Sequence, residues 1–144
     1  MIVAILEDDD RRQAAMREHL RTHHPECEPM FFDNAPDMLE WLRSNIKSVA
    51  LVCLDHDLGP NRERAGQIFD PGTGRDVANF LAKCAPQCAV IVHTSNAHAA
   101  PGMLSEMESA GWPVRRVIPF GDLDWVESSW AERVAECLPR ATGT

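Results

Sequence analysis

A chain of 144 residues with 44% hydrophobic and 25% charged side chains is long enough to bury a core of its own and too apolar for disorder. It carries 14 basic against 22 acidic residues, a formal charge of −8, and no Lys/Arg run offsets that balance. Duplex nucleic acid and anionic membranes are therefore poor partners.

No stretch approaches the roughly 18 apolar residues of a membrane span, and the start, MIVAILEDDD, lacks the basic segment of a secretory signal. A single cytoplasmic domain over residues 1–144 is expected. The five cysteines, odd in number and without CxxC spacing, are expected to be free thiols.

Residues 2–6 are continuously apolar and read as a strand. Asp9 or Asp10 caps a helix over about residues 11–23, which His24-Pro25 ends. Residues 30–32 form a second strand, and Ala35, Met38, Leu39, Leu42 and Ile46 recur at helical spacing. A third strand covers residues 49–54. Residues 59–72, GPNRERAGQIFDPG, show no clear periodicity and read as an inserted loop near the pocket, too long for an ordinary connection. Val77, Leu81 and Cys84 mark a third helix, residues 89–92 a fourth strand, and Met103, Met107 and Ala110 a fourth helix. Residues 114–118 form the fifth strand, and Leu123, Val126, Trp130, Val134 and Cys137 the fifth helix. Trp41, Trp125 and Trp130 belong to apolar helix faces, whereas Trp112, ahead of Pro113, is expected to be partly exposed. His19, His23, His24 and His98 form no convergent pattern and are expected at the surface, with His23-His24 beside Glu26 at most an adventitious metal pair.

Strands and helices alternating in this way predict an α/β fold: one doubly wound parallel sheet of five strands between two helical layers, flavodoxin-like. Strands one, three and four are uninterrupted apolar runs, as central strands are, while two and five are interrupted, as edges are. That pattern gives the order 2-1-3-4-5.

Ligands of such sheets bind beyond the carboxyl ends of the strands, where the order reverses. Here strand one ends in Glu7-Asp8-Asp9-Asp10, strand three in Asp55-His56-Asp57 and strand four in His93-Thr94-Ser95-Asn96. Asp9 and Asp10 serve as helix caps. Clustered Glu7, Asp8 and Asp55 would be driven towards protonation unless a cation joins them, and hard oxygen ligands suit Mg²⁺ or Mn²⁺.

The segments ILEDDDRR, LVCLDHDLG and VIVHTSN, spaced in this way, resemble the receiver domains of two-component response regulators along nearly the whole chain. The resemblance implies that Glu7 and Asp8 hold Mg²⁺, that the Asp57 carbonyl completes the metal site, that Asp55 is the phosphoacceptor and that Thr94 is the switch hydroxyl. Ile118 stands where receivers carry a Lys before Pro119, so conventional signalling is not implied in full. Arg115 or Arg116 could replace that Lys only with a different strand register. DHDLG, then Thr73-Gly74-Arg75-Asp76, then HTSN, resembles a narrower group, the cyclic-phosphate processing receiver-like family. That group adds histidines to the acidic pocket, and its proposed activity is on cyclic phosphates or related nucleotides.

Opening a cyclic phosphodiester needs a base and an acid; histidine as a residue type can do either job near neutral pH, which makes His56 and His93 the candidates. Each also has a plainer reading, His56 packed on the next loop and His93 as a core histidine. Asp55 could be metal ligand, phosphoacceptor or nucleophile, and Thr94, Ser95 and Asn96 supply neutral groups for phosphoryl oxygens. Arg62, Arg64 and Arg75, and the helix start at Thr73-Gly74-Arg75, are further phosphate candidates. Three functions follow: an enzyme acting on a small phosphate-containing ligand, a stand-alone receiver served by a histidine kinase, and a non-catalytic pseudo-receiver. A homodimer is compatible with each.

Overall fold

The computed structural model describes residues 1–140. Strands β1 (Ile2–Leu6), β2 (Glu28–Phe32), β3 (Val49–Leu54), β6 (Ala89–His93) and β7 (Val114–Val117) form one parallel sheet in the order β2-β1-β3-β6-β7. Counting only these strands, the order is the expected 2-1-3-4-5. Helices α1 (Asp10–His23), α2 (Ala35–Asn45), α3 (Gly74–Ala82), α4 (Ala100–Ser109) and α5 (Ala131–Cys137) connect and cover them. No helix among the described residues is long and apolar enough to cross a membrane.

Side chains alternate across a strand, so each central strand feeds two cores. Ala4, Leu6, Val52, Leu54, Val90 and Val92 pack with Met38 and Leu42 of α2, Val77 and Leu81 of α3, and Met103 and Met107 of α4. Val3, Ile5, Leu51, Cys53 and Ile91 pack on the other face with Met16 and Leu20 of α1 and with Trp125, Trp130 and Val134. Trp112 is not partly exposed as its neighbour Pro113 suggested. It is buried in the first core, where its indole N–H donates to the Leu81 carbonyl at 2.8 Å. His19 is likewise buried rather than superficial.

Two elements differ from the sequence pattern. The inserted loop contains a hairpin, β4 (Arg62–Arg64) paired with β5 (Gln67–Phe69). Its turn residues, Ala65 and Gly66, both have positive φ (53° and 79°), which suits a tight hairpin turn with right-handed strand twist. The Arg-Glu-Arg strand lacks alternating apolar residues, so the hairpin carries no period-two signal. The fifth helix is also irregular: Val126–Trp130 is a π-helical turn ahead of α5. The Trp130 N–H donates to the Trp125 carbonyl at 2.9 Å, five residues back. Residues five apart would diverge by roughly 140° on an α-helix, and the wider π turn brings both indoles onto the core face.

Candidate metal centre and its polar rim

The sheet register builds the site. Leu6 pairs with Leu54, and Leu54 with Val92. The next residues, Glu7, Asp55 and His93, therefore end three adjacent strands at one level. By alternation they share the face of Ile5, Cys53 and Ile91, towards α1 and Trp125. All three are buried, and one ligand atom from each lies within 4.8 Å of the other two. His93 Nε2 is 3.3 Å from Glu7 Oε1.

Burial favours protonation of Glu7, but the His93 imidazole, the Asp9 N–H (3.0 Å from Glu7 Oε2) and Arg12 outweigh it and hold this carboxyl below its usual range. Asp55 goes the other way. Burial, helped by the charge of Glu7, pushes it up to about 6, although His93, the His56 N–H and Arg12 oppose that rise. Arg12, on the first turns of α1, lies 3.6 Å from Glu7 Oε1 and 3.7 Å from Asp55 Oδ2. Its guanidinium stacks over Trp125, whose ring is stacked on His93 with centroids 5.8 Å apart.

These residues fit a divalent cation. Glu7 Oε1 and His93 Nε2 face each other at 3.3 Å without hydrogen-bond geometry, and neither they nor His93 Nδ1 has a hydrogen-bond partner among the described residues, a costly buried state for groups that can ligate a metal. Asp8 lies outside the cluster and is partly buried, with Oδ2 against Gly59. Burial and the charge of Glu7 raise its carboxyl. The Asp57 carboxylate is also outside this side-chain cluster. It pairs with His56 Nδ1 at 2.8 Å and accepts from Asn96 Nδ2 at 3.3 and 3.4 Å. A carboxylate only accepts, so in this pair the His56 Nδ1–H is the donor, and Asn96 Nδ2 lies 3.4 Å from the same nitrogen.

Asn96 braces this rim. Its Oδ1 accepts the N–H groups of His98 and Ala99 at 3.1 and 3.0 Å, and its own N–H donates to Thr94 Oγ1 at 3.0 Å. Thr94 is buried and Ser95 exposed. The helix start expected to receive an anion is already satisfied. Gly74 N–H donates to the His56 carbonyl, Arg75 N–H to Thr73 Oγ1 and Asp76 N–H to the Thr73 carbonyl. Gly74 is required here, since a Cβ would lie 1.8 Å from the Asp55 carbonyl oxygen.

The candidate phosphate cations are engaged elsewhere: Arg62 with Asp33, Arg64 with Asp37 and the Phe69 ring, Arg75 with Glu106. Ile118 is 61% exposed. Neither possible replacement for the receiver Lys reaches Asp55 by an ion pair: Arg115 pairs with Glu136, and Arg116 donates to the Thr94 carbonyl at 2.8 Å. Arg12 and Trp125 are the residues that sequence reasoning missed. Arg12 stands in the quoted ILEDDDRR segment, five residues after Glu7, a weak signal; Trp125 looked like core alone.

A five-stranded parallel sheet of this order, with an acidic centre at the carboxyl ends, defines a receiver-like fold. The family model of the cyclic-phosphate processing receiver domain matches residues 3–109, and the chain belongs to that family. Solved structures agree on the fold. A response regulator receiver domain from Rhodospirillum rubrum is 14% identical, with a TM-score of 0.67, over 99% of this chain and 100% of that one. The Mn²⁺-bound form of response regulator Rcp1 is 13% identical, with a TM-score of 0.68, over 99% and 98%. The phosphorylated cyanobacterial phytochrome response regulator RcpA is 12% identical, with a TM-score of 0.69, over 94% and 91%. No curated protein matches the sequence.

Proposed function

We propose that this receiver-like chain is a divalent-metal-dependent phosphoesterase that opens cyclic phosphates, with nucleotide 2′,3′-cyclic phosphates as its first substrate class. The observation that carries this reading is the buried Glu7–Asp55–His93 set beside an oriented His56–Asp57 pair. Glu7, Asp55 and His93 would hold Mg²⁺ or Mn²⁺, and the imidazole favours Mn²⁺ over the oxygen-preferring Mg²⁺. The ion supplies neutralisation of phosphoryl charge.

His56, oriented by Asp57, takes a proton from the attacking water as its oxygen bonds to phosphorus. It then returns a proton to the ring oxygen as the ester P–O bond breaks. The Thr94 and Ser95 hydroxyls donate to phosphoryl oxygens, while Asn96 holds Asp57 and the loop in place. His93, fully buried against Trp125, acts as a ligand and not in proton transfer with solvent.

A second reading has one observation in its favour. Arg12 gives Asp55 a cationic neighbour, the electrostatic part of the role Lys plays in receivers, so Asp55 could accept a phosphoryl group from a histidine kinase.

Phosphorus NMR of the protein with Mn²⁺ or Mg²⁺ and 2′,3′-cyclic nucleotides separates the two. Ring opening is expected in the wild type and lost in His56→Ala with metal binding intact; His93→Ala loses both. Opening that survives His56→Ala removes the proposed acid–base role. No opening with any metal, together with acetyl-phosphate labelling that Asp55→Asn abolishes, replaces the enzyme with the phosphoacceptor.

A further inference from the structure

We propose a second metal site, for a borderline ion of the Zn²⁺ type, formed by His19 and His23 of α1 and Glu127 of the π-helical turn. Residues four apart share a helix face, and the His19 and His23 rings lie with centroids 4.6 Å apart. Glu127 reaches the same point from the other element, its Oε2 3.0 Å from His19 Nδ1. One ligand atom from each of the three falls within 4.8 Å of the others.

Zinc held at about 2.0–2.2 Å needs its ligands about 3.4 Å apart. The exposed side chains of His23 and Glu127 can make that adjustment. His19 is the fixed member, buried and set edge-on against Trp130 with centroids 5.7 Å apart. Two imidazoles and one carboxylate favour Zn²⁺ over Mg²⁺ and leave a fourth position for water. His24 is not part of the set; its Nδ1 faces Glu26 at 3.8 Å.

This site lies two helical turns along α1 from Arg12, about 10 Å by helix rise, and shares no ligand with Glu7, Asp55 and His93. An ion here would clamp α1 to the turn that follows Trp125.

The test is Zn²⁺ titration of tag-free protein against a chromophoric chelator, in the Asp55→Asn chain so that the other cluster is disabled. One equivalent is expected to bind. His23→Ala and Glu127→Gln each weaken it by at least about tenfold, and His24→Ala leaves it unchanged. Because His23 and Glu127 are exposed, circular dichroism of both variants should match the parent. If Asp55→Asn does not fold, the same substitutions in the wild type remove one of two bound equivalents. Binding indifferent to His23→Ala, absence of binding, or loss on His24→Ala but not on Glu127→Gln overturns the assignment.

Discussion

Arg12 is the counter-ion that the metal-free pocket uses and that a metal would displace. Its guanidinium lies between Glu7 and Asp55 and is partly exposed, so it can swing away. Replacing it with Met removes a competitor for both carboxylates. The expected outcome is a lower melting temperature without metal and a larger rise on adding Mn²⁺, read by calorimetry at matched ionic strength. Asp55 sets the pH dependence. Its carboxyl releases a proton near 3.8 when unfolded and near 6 when folded. From this group, the metal-free chain loses stability as pH rises from about 4 to about 6, because the unfolded state then binds fewer protons. A cation must compete with the Asp55 proton, so Mn²⁺ affinity should fall between pH 7.5 and pH 5, and Asp55→Asn should make that slope shallower. Calorimetric titration at the two pH values measures both.

The elements around the site are joined by tight backbone contact as well as side chains. Gly74 seats the start of α3 on the carbonyl of Asp55, so Gly74→Ala forces the helix off the end of β3. A loss of about 3 kcal/mol or more in urea unfolding is expected, with metal affinity falling in parallel. Ala65, by contrast, occupies left-handed backbone at the tip of the hairpin without needing its methyl. Ala65→Gly should stabilise by up to about 1 kcal/mol, and hydrogen exchange of the hairpin amides should slow.

The contrast explains what the sequence revealed. The apolar runs of β1, β3 and β6 announced central strands, and Glu7, Asp55 and His93 were legible as strand-end residues. Their common level came from the ladder register. Asp8 looked equivalent to them in sequence, but alternation takes its side chain to the other face; the Asp57 side chain is held by His56 and Asn96, which leaves the expectation for its carbonyl untouched. The hairpin was silent because Arg62 and Arg64 reach Asp33 and Asp37, nearly thirty residues away, by long-range pairing that no local pattern records.

Across the molecule, one sheet edge collects chemistry from segments far apart in the chain. Arg12 and Trp125 join the centre only because α1 and the chain after β7 cover the same sheet face. The burial of Trp112 and His19 is of the same kind, fixed by what packs over them. Parallel strands cannot pair with their immediate sequence neighbours through a short turn, so each ladder contact closes a long loop. Glu7, Asp55 and His93 meet only after β1, β3 and β6 have all docked. During synthesis, a chain that has delivered β1 and β3 holds two carboxylates and no imidazole from the third strand. The centre thus stays incomplete until β6 has joined β1 and β3, and a metal captured there would stabilise chains that have docked all three strands while leaving earlier ones untouched.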